Sequence, residues 1–363
     1  MGPMKRQIPS HLTLSRRSPD DGRKTCTPER GLDETMSETT MQAVMAEEAG
    51  GPEVLRARDV DVPEPGPGQL LVRTEATGVN FIETYQRSGM YSVDFPFTPG
   101  SEGAGVIEAV GSDVPDDAAV AVGARVATAE ASGTYAQYFL VDADKALPVP
   151  DDMDPQIAGA LPLQGLTAHY LVRSTFQLTP DHTAVITAAS GGVGGLAIQL
   201  MKRIGATVIA LTSTPEKAET ARGLGADHVL PYENFAEKVR ELTGGRGADV
   251  VYDSVGKSTF DESIKATRVR GTTVLFGGSS GQVPPFDLQR LNSSGSLYVT
   301  RPSLAYYTLD RDERTWRWGE LMDAVSADEL TVRVGGTHAL ADAAEAHRDL
   351  EGRGTQGKLL LLP

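Results

Sequence analysis

The chain has 363 residues, 40% of them hydrophobic, and its 49 acidic and 34 basic side chains give a formal net charge of −15. This length suits two domains, and because no apolar run approaches membrane-spanning length, we expect a soluble cytoplasmic protein without membrane contact. The acidic balance argues against nucleic acid as the main partner, and the single cysteine, Cys26, excludes an internal disulfide and a cysteine-rich zinc site.

Residues 1–35 differ in composition from the rest of the chain. Ser, Thr, Pro, Arg and Lys are frequent there and apolar periodicity is missing, so we expect a disordered N-terminal extension. The extension lacks the apolar core of a secretory signal, and its acidic residues are wrong for a transit sequence. Met36, just after it, is a candidate start of the folded protein.

The stretch from Met41 to about Leu147 contains short runs of alternating apolar and polar residues, which are typical of β-strands. The clearest runs are Leu70–Glu75, Gly105–Val110 and Tyr135–Val141. Proline and glycine separate them, so the pattern predicts a compact, antiparallel, barrel-like domain. After Asp154 the spacing becomes helical, first over residues 156–161 and then over 165–172.

A strand, a glycine turn and a helix are predicted over residues 183–197. The turn and the start of the helix comprise Ser190, Gly191, Gly192, Val193 and Gly194. The first two glycines allow backbone angles and close approaches that a side chain would block, so a pyrophosphate can lie over the N–H groups that open the helix at Val193. The third glycine lets the helix pack closely on its strand. Between a strand and a helix, this pattern favours a dinucleotide site over a glycine turn that binds nothing.

The next strand, Ala206–Leu211, ends where dinucleotide sites usually place an acidic residue against the ribose hydroxyls. Thr212 and Ser213 stand there instead, and Lys217 falls in the first turn of a helix that begins near Pro215. Hydroxyls and an ammonium bind a 2′-phosphate, which a carboxylate would repel. The sequence therefore favours NADP(H) over NAD(H), although Lys217 alone fits a solvated helix lysine equally well.

Strands and helices alternate along the next segment, which predicts a parallel sheet with helices on both faces. The predicted elements are Thr207–Leu211, Pro215–Leu224, His228–Leu230, Ala236–Leu242, Val250–Asp253, Phe260–Thr267 and Thr272–Phe276. After Tyr298 the alternation stops, and a polar helix with Trp316 and Trp318 precedes a final strand, Lys358–Leu362. We expect this last segment to fold back onto the first domain, so that the active-site cleft lies between two lobes.

Several motifs carry a resemblance to a known family. They are Gly78–Tyr91 (GVNFIETYQRSGMY), Pro99–Gly105 (PGSEGAG), Ala188–Gly194 (AASGGVG), Val251–Gly256 (VYDSVG) and Gly295–Ser303 (GSLYVTRPS). From about Met41 to Pro363 the chain resembles the NADPH:quinone oxidoreductase (zeta-crystallin-like) branch of the medium-chain dehydrogenase/reductase superfamily. The resemblance implies an α/β fold with a discontinuous GroES-like β-barrel catalytic domain over residues 36–162 and 302–363. It also implies a Rossmann NADPH-binding domain, a doubly wound parallel sheet, over residues 163–301.

Zinc-dependent members of the same superfamily use a metal to polarise a carbonyl group. Where those relatives carry a ligand cysteine this chain has Asn80, and where they carry Gly-His-Glu it has Gly100-Ser101-Glu102. The six histidines show no ligand spacing and are interpreted as surface or packing residues. We therefore predict that the protein binds no metal.

The resemblance also implies roles for individual residues. Asn80 would contact the nicotinamide end of the cofactor, and Tyr85 and Tyr91 would line the substrate slot, either as walls or as proton donors. These three are the candidate catalytic residues. The further cofactor contacts implied are Thr167, Tyr232, Phe276, Gly277, Ser279 and Lys358, in addition to the phosphate turn and to Thr212, Ser213 and Lys217. For Lys358 an edge-strand lysine is the alternative interpretation.

The predicted function is an NADPH-dependent, metal-free quinone reductase that transfers a hydride from the nicotinamide to a quinone or a similar electron-poor carbonyl compound. One alternative is reduction of an activated C=C bond in an enal or enoyl thioester, since the same cleft would serve it. The non-enzymatic alternative is an NADPH-binding or RNA-contacting protein, which the acidic charge disfavours. The strand over Gly295–Arg301 implies, by resemblance, a homodimer.

Overall fold

The computed structural model describes residues 39–352 and 354–363. The predicted disordered extension, residues 1–35, lies outside this range. The strands of the described chain are β1 (Thr40–Ala46), β2 (Leu55–Asp61), β3 (Gln69–Val79), β4 (Gly103–Val110), β5 (Arg125–Thr128), β6 (Tyr138–Asp142), β7 (Leu147–Pro148), β8 (Thr183–Ile186), β9 (Thr207–Leu211), β10 (His228–Leu230), β11 (Ala248–Asp253), β12 (Thr267–Leu275), β13 (Tyr298–Thr300), β14 (Val334–Ala339) and β15 (Lys358–Leu362). The helices are α1 (Phe81–Arg87), α2 (Pro155–Ala160), α3 (Pro162–Tyr170), α4 (Gly192–Ile204), α5 (Pro215–Gly223), α6 (Phe235–Leu242), α7 (Phe260–Ala266), α8 (Gln289–Ser293), α9 (Arg311–Ser326) and α10 (Ala343–Glu351).

A six-stranded parallel sheet has the order β10-β9-β8-β11-β12-β13. Alternate residues of its central strands enter two different cores. In β8, for example, Ile186 belongs to one apolar cluster and Val185 to another. Both faces of the sheet are therefore covered, which explains why β8 and β11 are buried along their whole length. This confirms the predicted doubly wound sheet.

A second sheet has seven strands in the order β14-β15-β3-β4-β5-β7, with β6 also paired to β3. Its pairs are antiparallel except β14 with β15. One core lies among Leu70, Val72, Ile107, Phe139 and Val141. The C-terminal strand β15 thus completes a sheet that is otherwise built largely from the first half of the chain, which confirms the expected return of the last segment.

Three local predictions differ from the structure. The strand expected from Tyr135 begins at Tyr138, because Ala136 instead forms a bridge with Ala43 of β1. Helix α1 interrupts a region that we expected to be entirely β, and β14 was missed because its Gly335 and Gly336 are typical of a loop.

Candidate functional site

The glycine turn joins β8 to α4 at the carboxyl edge of the parallel sheet. Helix α4 begins at Gly192, one residue before the predicted start, with Gly191 as its N-cap. A Cβ on Gly192 would lie 1.9 Å from Oε1 of Gln164, and one on Gly194 would lie 2.4 Å from the carbonyl oxygen of Ala188. Close approach to backbone therefore requires glycine at position 194, as predicted, whereas the neighbour of Gly192 is the end of the flexible Gln164 side chain. The expected need for special backbone angles is wrong, because the residue with positive φ in this turn is Ala188, at 48°.

The end of β9 lies beside the glycine turn, because β8 and β9 are neighbours in the sheet. Thr212 is buried and Ser213 is exposed at this edge. Helix α5 begins at Pro215, as predicted, and the Thr214 side chain accepts a hydrogen bond from the backbone N–H of Lys217. The half-buried Lys217 thus occupies the first turn of α5.

Tyr232, which follows β10, reaches the same edge. Its phenol oxygen accepts a hydrogen bond of 2.8 Å from the backbone N–H of Ala188. The side chain therefore lies against the glycine turn and is not an isolated surface aromatic.

The loop after β12 is tied to the end of β11. The backbone N–H of Phe276 donates to the carbonyl oxygen of Asp253, and that of Ser279 donates to the carbonyl oxygen of Ser254, at 2.8 and 3.2 Å. Gly277 is required here, because a Cβ would lie 2.5 Å from the Ser254 carbonyl oxygen. The buried Asp253 carboxylate fixes the β11 turn by accepting bonds from the N–H groups of Val255 and Gly256 and from the Thr259 and Ser263 hydroxyls.

Helix α3 brings Thr167 towards the turn. Thr167 is 9% exposed, and Gln164, one helical turn earlier on the same face, packs over Gly192. Gln164 was not predicted as a site residue, and no sequence signal distinguishes it from other helix surface glutamines.

The start of β15 touches the turn from the other lobe. The N–H of Gly357 donates to the carbonyl oxygen of Ser190 at 3.2 Å, and Gly357 forms a bridge with Gly191. Lys358 follows directly. The interpretation of Lys358 as an edge-strand lysine is wrong, because β15 lies between β14 and β3 and Lys358 is 0% exposed.

Lys358 belongs to a buried polar cluster with Asn80, Glu102 and Glu83. Its ammonium forms an ion pair with Glu102 and donates to Oδ1 of Asn80. The Asn80 amide nitrogen donates to the same Glu102 oxygen at 3.0 Å. The other Glu102 oxygen accepts the backbone N–H of Leu163, in the first turn of α3, at 2.7 Å.

Glu83 lies under Asn80 at the start of α1. Asn80 is the N-cap of this helix, and the Glu83 carboxylate accepts the backbone N–H of Asn80 at 2.6 Å. The other Glu83 oxygen, Oε1, has no hydrogen-bond partner among the described residues. Burial raises the pKa of Glu83 to about 7, although the nearby Lys358 ammonium acts to lower it. The Asn-x-x-Glu spacing of a capping box could have predicted this pair.

Tyr85 of α1 packs against Tyr91, which follows the end of this helix. Their ring centroids are 5.3 Å apart, and Tyr91 is 39% exposed. Phe81 adds a third ring, with its centroid 6.3 Å from that of Tyr85. The three rings form an aromatic cluster beside the helix whose N-cap is Asn80.

His169 and His347 are buried packing residues. This agrees with the interpretation of the histidines as surface or packing residues. Desolvation lowers the pKa of His169 to about 4 and that of His347 to about 3, so both rings are neutral at pH 7. Over the described part of the chain, His, Cys, Asp and Glu side chains form no group of three that could hold a metal ion. Over the same residues, no helix is both long and apolar enough to cross a membrane.

Two segments of the chain match the family models of known proteins. Residues 66–151 match the family model for the alcohol dehydrogenase GroES-like domain, and residues 192–313 match that for zinc-binding dehydrogenase. These matches define the class, that of alcohol-dehydrogenase-like proteins with a GroES-like domain and a dinucleotide-binding sheet.

Individual relatives indicate which family within this class the chain belongs to. A quinone oxidoreductase of Pseudomonas aeruginosa is 43% identical over 318 residues, which are 86% of this chain and 97% of that protein. A 2-haloacrylate reductase of Burkholderia is 42% identical and covers 89% of this chain and 99% of its own. A mycobacterial structure complexed with NADPH is 48% identical, with a TM-score of 0.87 over 89% of this chain and 100% of its own. The chain belongs to the quinone oxidoreductase family of the medium-chain dehydrogenase/reductase superfamily, an oxidoreductase family, as the motifs predicted.

Proposed function

We propose that the protein is an NADPH-dependent quinone reductase. The observation that carries this proposal is the convergence of four segments on one edge of the parallel sheet. The glycine turn, the end of β9 with Lys217, the Phe276–Ser279 loop and the Gly357 end of β15 all meet there. In open α/β sheets this carboxyl edge is where ligands bind.

The residues present fit a dinucleotide. The turn has N–H groups opening α4, which can face a pyrophosphate, and Gly194 lets this helix pack closely on the end of β8. We propose that Ser190, Gly191, Gly192, Val193 and Gly194 hold the pyrophosphate. Thr167, Phe276, Gly277 and Ser279 would lie along the nicotinamide ribose.

Thr212 and Ser213, and not an acidic residue, stand directly at the end of β9, which supports NADPH over NADH. Thr212, Ser213 and Lys217 offer two hydroxyls and a cation at this position, and Tyr232 closes it from β10. These groups attract a 2′-phosphate. The mycobacterial relative solved with NADPH supports the same assignment.

When bound, NADPH supplies the hydride. A quinone that accepts this hydride and one proton becomes the hydroquinone. The hydride brings both electrons and one hydrogen and leaves NADP⁺, and the second hydrogen is a proton taken from water or a hydroxyl. Asn80 would orient the reacting groups through its amide, and Tyr85 and Tyr91 would wall the acceptor slot. The named function of the Pseudomonas relative supports a quinone acceptor.

Metal independence is part of the proposal. It rests on Asn80 and Ser101 at the positions where the motifs of zinc-dependent relatives have cysteine and histidine. Asn80 and Glu102 instead bind Lys358.

The test is an acceptor panel. NADPH oxidation is followed with 1,4-benzoquinone, 9,10-phenanthrenequinone, an enal, an enoyl thioester and 2-chloroacrylate. We expect the quinones to give the highest kcat/KM. Turnover of the alkenes alone would overturn the quinone assignment and leave the cofactor assignment intact, and NADPH binding without any turnover would favour a non-enzymatic role.

A second candidate function is reduction of an activated C=C bond. The Burkholderia relative, a 2-haloacrylate reductase of almost the same identity, specifically supports it. The acceptor panel separates the two candidates because a 2-haloacrylate has no quinone carbonyl to reduce.

We further propose a cytoplasmic homodimer. The outer strand β13 supports the dimer, because it leaves Tyr298 65% exposed and Val299 36% exposed at the edge of the parallel sheet. Pairing two such edges would cover them.

A further inference from the structure

The Lys358–Glu102 ion pair is an unusual feature, because both side chains are 0% exposed. Removing two charges from water is costly, and replacing a buried ion pair with apolar side chains is often neutral or stabilising. Stability alone is therefore a weak explanation for this pair, so its role must be sought in the group that it contacts.

That group is the Asn80 amide. Its Oδ1 accepts from the Lys358 ammonium, and its Nδ2 donates to the Glu102 carboxylate at 3.0 Å. If the amide flipped, its NH₂ would face the ammonium and its carbonyl oxygen would face the carboxylate. Both contacts would be repulsive, so the two charges together determine a single orientation.

The second amide hydrogen is held weakly in this orientation. Nδ2 also donates to the Gly78 carbonyl oxygen at 3.4 Å, which is long for a hydrogen bond. Asn80 is 7% exposed, whereas both charged partners are fully buried. Asn80 is thus less buried than the two charged residues that hold its amide.

The surrounding backbone accommodates the pair. A Cβ on Gly78 would lie 2.1 Å from Oε2 of Glu102 and 2.6 Å from Cε of Lys358. A larger residue at this position of β3 would therefore have to displace the ends of both side chains.

We propose that Lys358 and Glu102 are positioning residues, which lock the Asn80 carboxamide with Oδ1 turned towards the ammonium and Nδ2 turned towards the carboxylate. This inference rests on the proposed function for its consequence, since Asn80 is there assigned to the nicotinamide end of the cofactor. The orientation itself can be tested without turnover.

The chain allows a direct measurement because it contains three asparagines, Asn80, Asn234 and Asn292. Labelling with [¹⁵N]asparagine gives three side-chain amide pairs in the NMR spectrum, and the Asn80 pair is identified by its loss in Asn80→Ala. In the double variant Lys358→Met/Glu102→Gln, no buried charge of the pair is left alone. We expect hydrogen exchange of the Asn80 side-chain amide to be at least about tenfold faster, because two charge-assisted bonds are lost.

The matched control is Lys265→Met/Glu262→Gln, which removes an exposed ion pair on α7. It should leave the Asn80 amide unchanged. If the buried double variant does not fold, Glu102→Gln alone, which keeps the side-chain volume, should change exchange in the same direction. Unchanged Asn80 exchange in the folded variants would overturn the proposal.

Activity then tests the consequence. With NADPH and 1,4-benzoquinone, Lys358→Met/Glu102→Gln should lower kcat at least about tenfold while the Kd for NADPH stays within about twofold. Adding Asn80→Ala should cause no further loss beyond that of Asn80→Ala alone, because the pair acts through Asn80. Losses that multiply would overturn the positioning role. If the wild-type protein does not oxidise NADPH with quinones, the proposed function fails, and the NMR result still decides whether the pair orients Asn80.

Discussion

At the scale of single residues, burial changes the pKa of several side chains, and Glu83 is one of them. Glu83 is 0% exposed and has one oxygen bonded to the N-cap of α1, and its pKa is raised to about 7. In the unfolded chain the same carboxyl would titrate near 4.5. The folded protein therefore holds a proton on Glu83 in a pH range where the unfolded chain has lost it.

This difference predicts a pH dependence of stability. The pKa of Glu83 is higher in the folded protein than in the unfolded chain. Its stabilising contribution to the free energy of unfolding is therefore fully present below about pH 4.5 and is lost as the pH rises through about 7. The free energy of unfolding of the wild type, minus that of Glu83→Gln, should fall across this range in chemical denaturation. The subtraction removes the opposite contributions of His169 and His347, whose pKa values are lowered. The exposed Glu108→Gln variant is the control, and a flat difference for Glu83→Gln would contradict the assignment.

Lys217 carries a prediction about cofactor choice. If its ammonium binds the 2′-phosphate, Lys217→Ala should weaken NADPH binding about tenfold or more, the usual loss for a charge-assisted bond, and change NADH binding by less than about twofold. Titration calorimetry with both cofactors measures this. Lys265→Ala, at an exposed lysine of α7, should leave both affinities unchanged. Equal losses for the two cofactors would remove Lys217 from the 2′-phosphate site.

At the scale of elements, the turn between β8 and α4 is built on close approach. A Cβ on Gly194 would lie 2.4 Å from the Ala188 carbonyl oxygen and 2.9 Å from the Ala189 Cα, both backbone atoms that cannot move independently. We expect Gly194→Ala to destabilise the fold by about 1–3 kcal/mol and to weaken NADPH binding, because the turn must shift.

Gly319, a glycine within another helix, serves as the control for Gly194. It lies in α9, and a Cβ added there would meet no neighbouring atom within 4 Å. Gly319→Ala should therefore stabilise the protein by about 0.5–1 kcal/mol through the reduced entropy of the unfolded chain. Thermal and urea denaturation of both variants measures the contrast. A neutral Gly194→Ala would mean that the turn is more adaptable than its packing indicates.

The bounds of an element were predicted well from the sequence where a local pattern of residues determines that element. Strands β9 and β10 and helix α5 lie within one residue of their predicted bounds, because alternating apolar runs and the cap at Thr214 are local signals. Helix α1 was missed because its capping pair, Asn80 and Glu83, occurs within β-type sequence.

The candidate site was only partly predictable for the same reason. In a parallel sheet, the residues that follow the strands lie at the same edge. The glycine turn and the hydroxyl residues at the end of β9 could therefore be predicted to lie together. Lys358 and Glu102 are 256 positions apart in the chain, and their ion pair depends on β15 being inserted beside β3. No local pattern contains that information.

At the scale of the whole molecule, the two sheets are joined by contacts beside the glycine turn. Gly357 of the returning segment pairs with Gly191, and the carboxylate of Glu102, just before β4, accepts the backbone N–H of Leu163 in α3. The carboxyl edge of the parallel sheet and the polar cluster around Asn80 are therefore held by one connected set of elements.

The proposed homodimer is tested at this scale. Tyr298→Glu places a charge on the exposed edge strand β13, where a paired copy would bury it. Light scattering should give twice the chain mass for the wild type and a shift towards the single-chain mass for this variant. The exposed Tyr306, 76% accessible and outside the strand, offers Tyr306→Glu as the control. An unchanged mass in Tyr298→Glu would exclude β13 from the interface.

We propose that this cleft passes a hydride from NADPH to a quinone without a metal. This is tested by kcat/KM for 1,4-benzoquinone with NADPH and with NADH, before and after dialysis of the wild-type protein against a chelator. We expect turnover that favours NADPH at least about tenfold, in line with one charge-assisted phosphate contact, and that is unchanged by the chelator. Loss of activity after chelation that zinc restores, or equal use of the two cofactors, would contradict it.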